Sequence, residues 1–277
     1  MNEYLTLNYK DKTYTLKELI EDNNNFSDSL KFFNDSKRPD IFFVNDVGYC
    51  IALEKVEQLY NLIASSRFSL IEAHNKLHKS PVEWKSGYLG QLWLRAQYLK
   101  NSIIWYNSCL DYVYQIIWFA FDFFGEIKTK KDYRRELIEC NWSKISEILE
   151  SKSDQNSSIL LCQLKQIRKD KNLKKVNLWA NSLKHHGNLS FKELRLSDNY
   201  LLNFTEDFTN KDMIGDVLDI DETCETVKLA HCKLIEFINF LLDFINFENI
   251  FDRTNEGQFI INSKEKLEYK KIIINMN

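Results

Sequence analysis

Two prolines, Pro39 and Pro81, and seven glycines are all that punctuate 277 residues. Glycine and proline break helices and shape tight turns, so a chain with so few of them is expected to run mostly as helix. The apolar pattern agrees. Residues 50–79 set Ile51, Leu53, Val56, Leu59, Leu62, Ile63, Leu70 and Leu77 among charged side chains. Ser80-Pro81 ends that run, because proline cannot extend the hydrogen-bond ladder. A long helix is predicted over 89–124 with Gly125 behind it, and shorter ones over 132–150 and 156–170. A helix over 173–186 capped by Gly187 follows, then a second long one from Glu222 to Ile250. The expected fold is mainly α, a bundle of four to five helices within residues 49–255.

Residues 1–48 read differently. "YLTLNYKDKTYTL" alternates apolar and polar side chains about Lys10-Asp11-Lys12, as a hairpin does. A small helix over Leu16–Glu21 and a strand in "PDIFFVNDVGYC" complete a small α+β N-terminal appendage. The tail, 256–277, is expected to form a strand or hairpin packed on that appendage.

Several function classes drop out. With 44% hydrophobic and 28% charged residues the chain is not a disordered one. A formal net charge of -3 excludes a globally basic nucleic-acid coat but not a local basic patch. Six cysteines at long spacings form no C-x-x-C pair and fit reduced, structural thiols in the cytoplasm. The opening "MNEYLTLNYKDK" has no basic start followed by an apolar run, so no secretion leader is expected. "IIWYNSCLDYVYQIIWFAF" is interrupted by Asn107, Asp111 and Gln115, which suits a buried amphipathic helix better than a membrane span. His74 and His78 have a spacing that can chelate a metal, but no third ligand and no H-E-x-x-H accompany them, so no metal is expected. Phosphate-cradling glycine loops are also missing, and no cofactor is expected.

The chemistry concentrates in "NLWANSLKHHGNLSF", residues 177–191, where two of the five histidines are adjacent. On a helical wheel of about 100° per residue, Leu173, Val176, Ala180 and Leu183 share one face. Lys174, Asn177, Asn181 and His185 gather opposite, with Lys184 and His186 on the flanks. Asn181 and His185 are four apart and therefore neighbours on a helix surface. A histidine can carry a proton near neutral pH, an amide can orient it, and an ammonium can stabilise a phosphate oxygen. The same residues fit a solvated helix end, where cationic side chains gain roughly 0.3–1 kcal/mol from the helix dipole. Basic residues dominate 165–195, from Lys165 and Arg168 to Lys192 and Arg195, against only Asp170 and Glu193. Such a block suits a phosphate backbone, whereas 198–256 is acidic. On the long helix, Gln97, Lys100, Asn101, Asn107, Ser108, Asp111, Gln115 and Asp122 form a polar stripe. It is either a solvent face or the wall of a cleft, and in a cleft Asn107 and Asp111 would contact substrate.

This pattern resembles the HEPN superfamily of helical-bundle proteins, whose motif is an arginine, a polar residue, a short spacer and a histidine. "ANSLKHHG" supplies the polar residue as Asn181 and the histidine as His185, and places Ala180 where the family has arginine. The resemblance covers roughly residues 50–250. It implies a metal-independent ribonuclease of toxin or phage-defence type, acting as a homodimer and accompanied by an antitoxin or defence-system partner. In it His185 would be the acid-base residue, Asn181 would orient it, and Lys184 would stabilise phosphate charge. Lys174, Asn177, His186, Asn107 and Asp111 would contact RNA. The departure at Ala180 opens the alternative of an inactive module that binds RNA or a nucleotide, or engages a protein.

Overall fold

The computed structural model describes residues 6–33, 47–78, 87–186, 189–194, 217–245, 247, 251–253 and 259–261. The protein is mainly helical. Among the described residues eight α-helices are present: α1 Leu16–Ser29, α2 Val47–His74, α3 Tyr88–Ala120, α4 Lys130–Glu139, α5 Trp142–Ser151, α6 Gln155–Lys169, α7 Lys171–Asn181 and α8 Ile220–Ile245. None of the described helices is long and apolar enough to cross a membrane. Six short strands among the described residues make three two-stranded sheets: β1 Thr6–Tyr9 with β2 Lys12–Thr15, β3 Ser190–Phe191 with β4 Val217–Leu218, and β5 Phe251–Arg253 with β6 Phe259–Ile261. The chain divides into two compact units. The first holds residues 1–31, 64–107 and 171–232, and the second holds 32–63, 108–170 and 233–277.

In the first unit the hairpin has the expected place, with Thr6 opposite Thr15 and Tyr9 opposite Lys12. Lys10 takes the left-handed conformation that its tight turn requires (φ 53°). Thr15 then caps α1. Its side chain accepts from the Glu18 amide while Glu18 reaches back to the Thr15 amide. The helix does not stop at Glu21 as expected but runs on through the asparagines to Ser29. Tertiary contact overrides their weak helix propensity. Leu19 and Phe26 are buried, Phe26 stacks on the His74 ring at 3.9 Å, and Asp22 meets His74 and Lys76. Arg67 ties down the end of α1 by donating to the Leu30 and Ser27 carbonyls.

In the second unit the expected strand over 39–50 is corrected where it is described. Val47–Cys50 opens α2, and residues 39–46 lie outside the described residues. Gly48 explains the local packing, since a Cβ there would lie 2.6 Å from the Phe119 carbonyl oxygen. The predicted helix 132–150 is two helices. Asn141 breaks it by turning its side chain to the Lys144 amide as the cap of α5. Asp122, at φ 54°, takes the left-handed position just after α3, ahead of Gly125. In the tail, β5 and β6 pair with each other, and the rest of 254–277 lies outside the described residues.

Two histidines of the first unit are held neutral. His231 is fully buried; its Nε2 donates to the Lys31 carbonyl at 2.7 Å, and its Nδ1 accepts from the Tyr106 hydroxyl at 2.9 Å. Burial, aided by Arg67, pulls its pKa down to about 4, and burial with Lys76 and Arg95 does the same to His74 despite Asp22. Both groups bind protons more readily unfolded, near 6.5, than folded. Their contribution is therefore complete above that value and is lost as pH falls towards 4. Urea midpoints measured across this window should drop with acidification, and His231→Gln, which cannot titrate, should flatten the slope.

Candidate functional site

Only Asp170 separates α7 from α6 in sequence, and α7 has two distinct faces. Leu173, Val176, Trp179 and Ala180 are buried, while Lys171, Lys174, Lys175, Asn177, Leu178 and Asn181 are exposed. The predicted α-helix to 186 is corrected here. From Ser182 to His186 the backbone is a π-helical turn, with hydrogen bonds closing over five residues instead of four. Each turn then holds more residues than the 3.6 of an α-helix, so the wheel no longer ranks side chains beyond Asn181. Lys184 and His185 are nonetheless exposed, as is Asn181. His186 closes the π turn.

The segment after this turn is firmly held. Ser190 and Phe191 pair in parallel with Val217 and Leu218, and Phe191 is buried. Glu193 accepts from the Ile220 amide at 3.1 Å, capping the start of α8, and lies 3.5 Å from the Lys10 ammonium. Lys100 of the polar stripe places its ammonium 5.7 Å from the Phe191 ring, and burial lowers its pKa. Asn107 is half-buried on the part of α3 in the first unit. Asp111 is exposed and belongs to the second unit, where its charge raises the pKa of Tyr114 and of Cys140, secondary in both to burial. The basic block is divided in the same way. Lys165, Arg168 and Lys169 fall in the second unit, and Lys171, Lys174, Lys175, Lys184 and Lys192 in the first. His74 and His78 do not converge on a shared site: His74 Nε2 meets Asp22, and His78 Nδ1 meets Glu72 at 3.2 Å.

Sequence reasoning missed the main polar cluster of the first unit. Arg95 is 1% exposed about two turns into α3, with all three kinds of guanidinium nitrogen engaged. Nε donates to the Ala73 carbonyl at 2.7 Å, Nη1 to the Tyr9 hydroxyl at 2.7 Å, and Nη2 to Asp221 at 2.6 Å. The Tyr9 hydroxyl in turn donates to the other Asp221 oxygen at 2.9 Å. Lys10 reaches Asp219 and Asp221, both at 2.9 Å. Burial alone would raise the Asp221 pKa, but Arg95 and the bonds from Lys10 and Tyr9 outweigh it and hold the carboxyl well below the usual range. A signal was present. Arg95 falls three residues after Leu92 and four before Leu99, on the apolar face of the helix, where a cation demands a partner.

Comparison with known protein families, characterised proteins and solved structures found no match. The site therefore stands on its geometry. That geometry contains, within the first unit, an exposed amide, an imidazole and several ammonium groups on α7 and its π turn, together with an ion cluster whose members are committed to one another. Acid-base chemistry is available only to the first set, because Arg95, Tyr9 and Asp221 already satisfy each other.

Ala180 gives the motif its sharpest constraint. It is 0% exposed, so this position belongs to the core and not to the polar face. Placing an arginine there by Ala180→Arg would overpack the core and bury a charge, costing at least about 1–3 kcal/mol. Thermal denaturation should show that loss, whereas Asn181→Arg, at an exposed position, should leave the midpoint nearly unchanged.

Proposed function

We propose that this chain handles RNA through the exposed face of α7 and its π turn, as a HEPN-like, metal-independent ribonuclease of toxin or phage-defence type. The observation that supports this reading is a charge imbalance among the exposed side chains of one stretch of chain. Lys171, Lys174, Lys175, Lys184 and Lys192 are all exposed and make no ion pair among the described residues. Glu193, the one carboxylate between Lys171 and Leu194, is turned towards the Ile220 amide and Lys10. A cationic surface of this kind attracts a phosphate backbone and loses affinity steeply with salt. In this reading His185 transfers the proton of a ribose 2′-hydroxyl, Asn181 orients it, and Lys184 offsets charge on the phosphate. Lys174 and Asn177 extend the contact along the helix, and a second copy of the chain supplies what the missing arginine would contribute.

A second reading, binding without cleavage, is favoured by the burial of Ala180, since no arginine can occupy that position without disturbing the core. One experiment separates the two. Purified protein is incubated with RNA in EDTA, and binding and cleavage are followed at low and high salt. Cleavage that falls at least about a hundredfold in His185→Ala supports the enzyme. Salt-sensitive binding without cleavage supports the module, and Lys174→Glu with Lys175→Glu should weaken it. Absence of both sinks the RNA reading altogether.

A further inference from the structure

In the second unit a groove of about 460 Å³ opens between α6 and α8. That volume suits a small molecule. Ile167, Phe237 and Phe240 supply its apolar surface. Phe240 is half-buried and stacks on Phe244 with ring centroids 5.4 Å apart, while Phe237 lies at 6.0 Å and 40° on its other contact. These neighbours hold the Phe240 ring in place at the groove, where its half-buried side chain offers apolar surface to a ligand.

The polar lining carries the specificity. Lys169 and Lys233 bring two positive charges to the groove, and Asp170 and Glu236 bring two negative ones. An anionic ligand would gain from the lysines and be repelled by the carboxylates, and a cationic ligand would meet the reverse. A ligand with both charges close together matches both. Lys233 and Glu236 pair with each other, whereas exposed Lys169 makes no ion pair among the described residues. The Gln163 and Gln166 amides can donate to a carboxylate or accept from an ammonium.

We propose that this groove binds a free aromatic amino acid. The ring lies on Phe240, the α-carboxylate is taken by Lys169, and the α-ammonium is taken by Glu236. The proposal does not depend on the reading of α7, since every residue it uses belongs to the second unit.

Calorimetric titration of the full chain with L-phenylalanine tests it. Saturable binding is expected. L-alanine, which lacks the ring, phenethylamine, which lacks the carboxylate, and 3-phenylpropionate, which lacks the ammonium, should each bind at least about tenfold more weakly. Phe240→Ala should weaken L-phenylalanine at least about tenfold through lost apolar contact. Lys169→Glu, at an exposed position that leaves the fold intact, should do the same and carries the test if Phe240→Ala does not fold. The proposal is overturned if L-phenylalanine does not bind, if any of the three analogues binds as tightly, or if Lys169→Glu changes nothing.

Discussion

A guanidinium sealed inside a helical protein dictates much of what surrounds it. Arg95 cannot be left in the apolar interior without partners, because an unpaired buried charge costs several kcal/mol. Its partners come from three separate stretches of chain: the carbonyl of Ala73 near the end of α2, Tyr9 at the end of β1, and Asp221 in the first turn of α8. One side chain thereby locates the N-terminal hairpin and two helices of the first unit. Lys10, held in a left-handed conformation one residue beyond Tyr9, adds the outer layer by bridging Asp219, Asp221 and Glu193. Asp219 and Asp221 also favour the start of α8 through its dipole, so the same carboxylates serve helix and cluster.

Glu193 links this cluster to the stretch that carries the histidines. It stands just beyond β3, after Lys192, and β3 follows the π turn after a short connection. Its bonds to the Ile220 amide and to Lys10 commit the one carboxylate of the stretch from Lys171 to Leu194, which holds five lysines. The positive surface of α7 is thus partly a result of how the cluster is wired, and not only of local composition. The burial of Ala180 has a parallel logic, since it lets α7 pack with Leu173, Val176 and Trp179 while its lysines stay in water.

Much of this was legible residue by residue. The sparse glycines and prolines predicted helix, the alternation about Lys10 predicted the hairpin, and Leu173, Val176 and Ala180 predicted the buried face of α7. What escaped has identifiable causes. The π turn leaves no periodic trace in five residues, so a wheel drawn at one angle could not reveal it. The continuation of α1 through its asparagines depends on Asp22 meeting side chains 52 and 54 residues away. Arg95 was visible as a cation on an apolar face, but its carboxylate partner lies 126 residues on, inside what read as a uniformly acidic segment. Local pattern specifies elements, and distant partners decide what a buried charge is for.

The Arg95–Asp221 pair is the claim on which this account turns, and a double-mutant cycle addresses it most directly. Arg95→Met, Asp221→Asn and the combination are compared by urea denaturation. Asp221→Asn removes the charge facing a guanidinium that is 1% exposed and should cost about 3 kcal/mol, whereas Arg95→Met leaves Asp221 with Lys10 and Tyr9 and should cost about 1–2 kcal/mol. The double variant should be more stable than the sum of the two losses implies, by at least about 1 kcal/mol. Additive losses, or an Arg95→Met variant as stable as the parent, would contradict it.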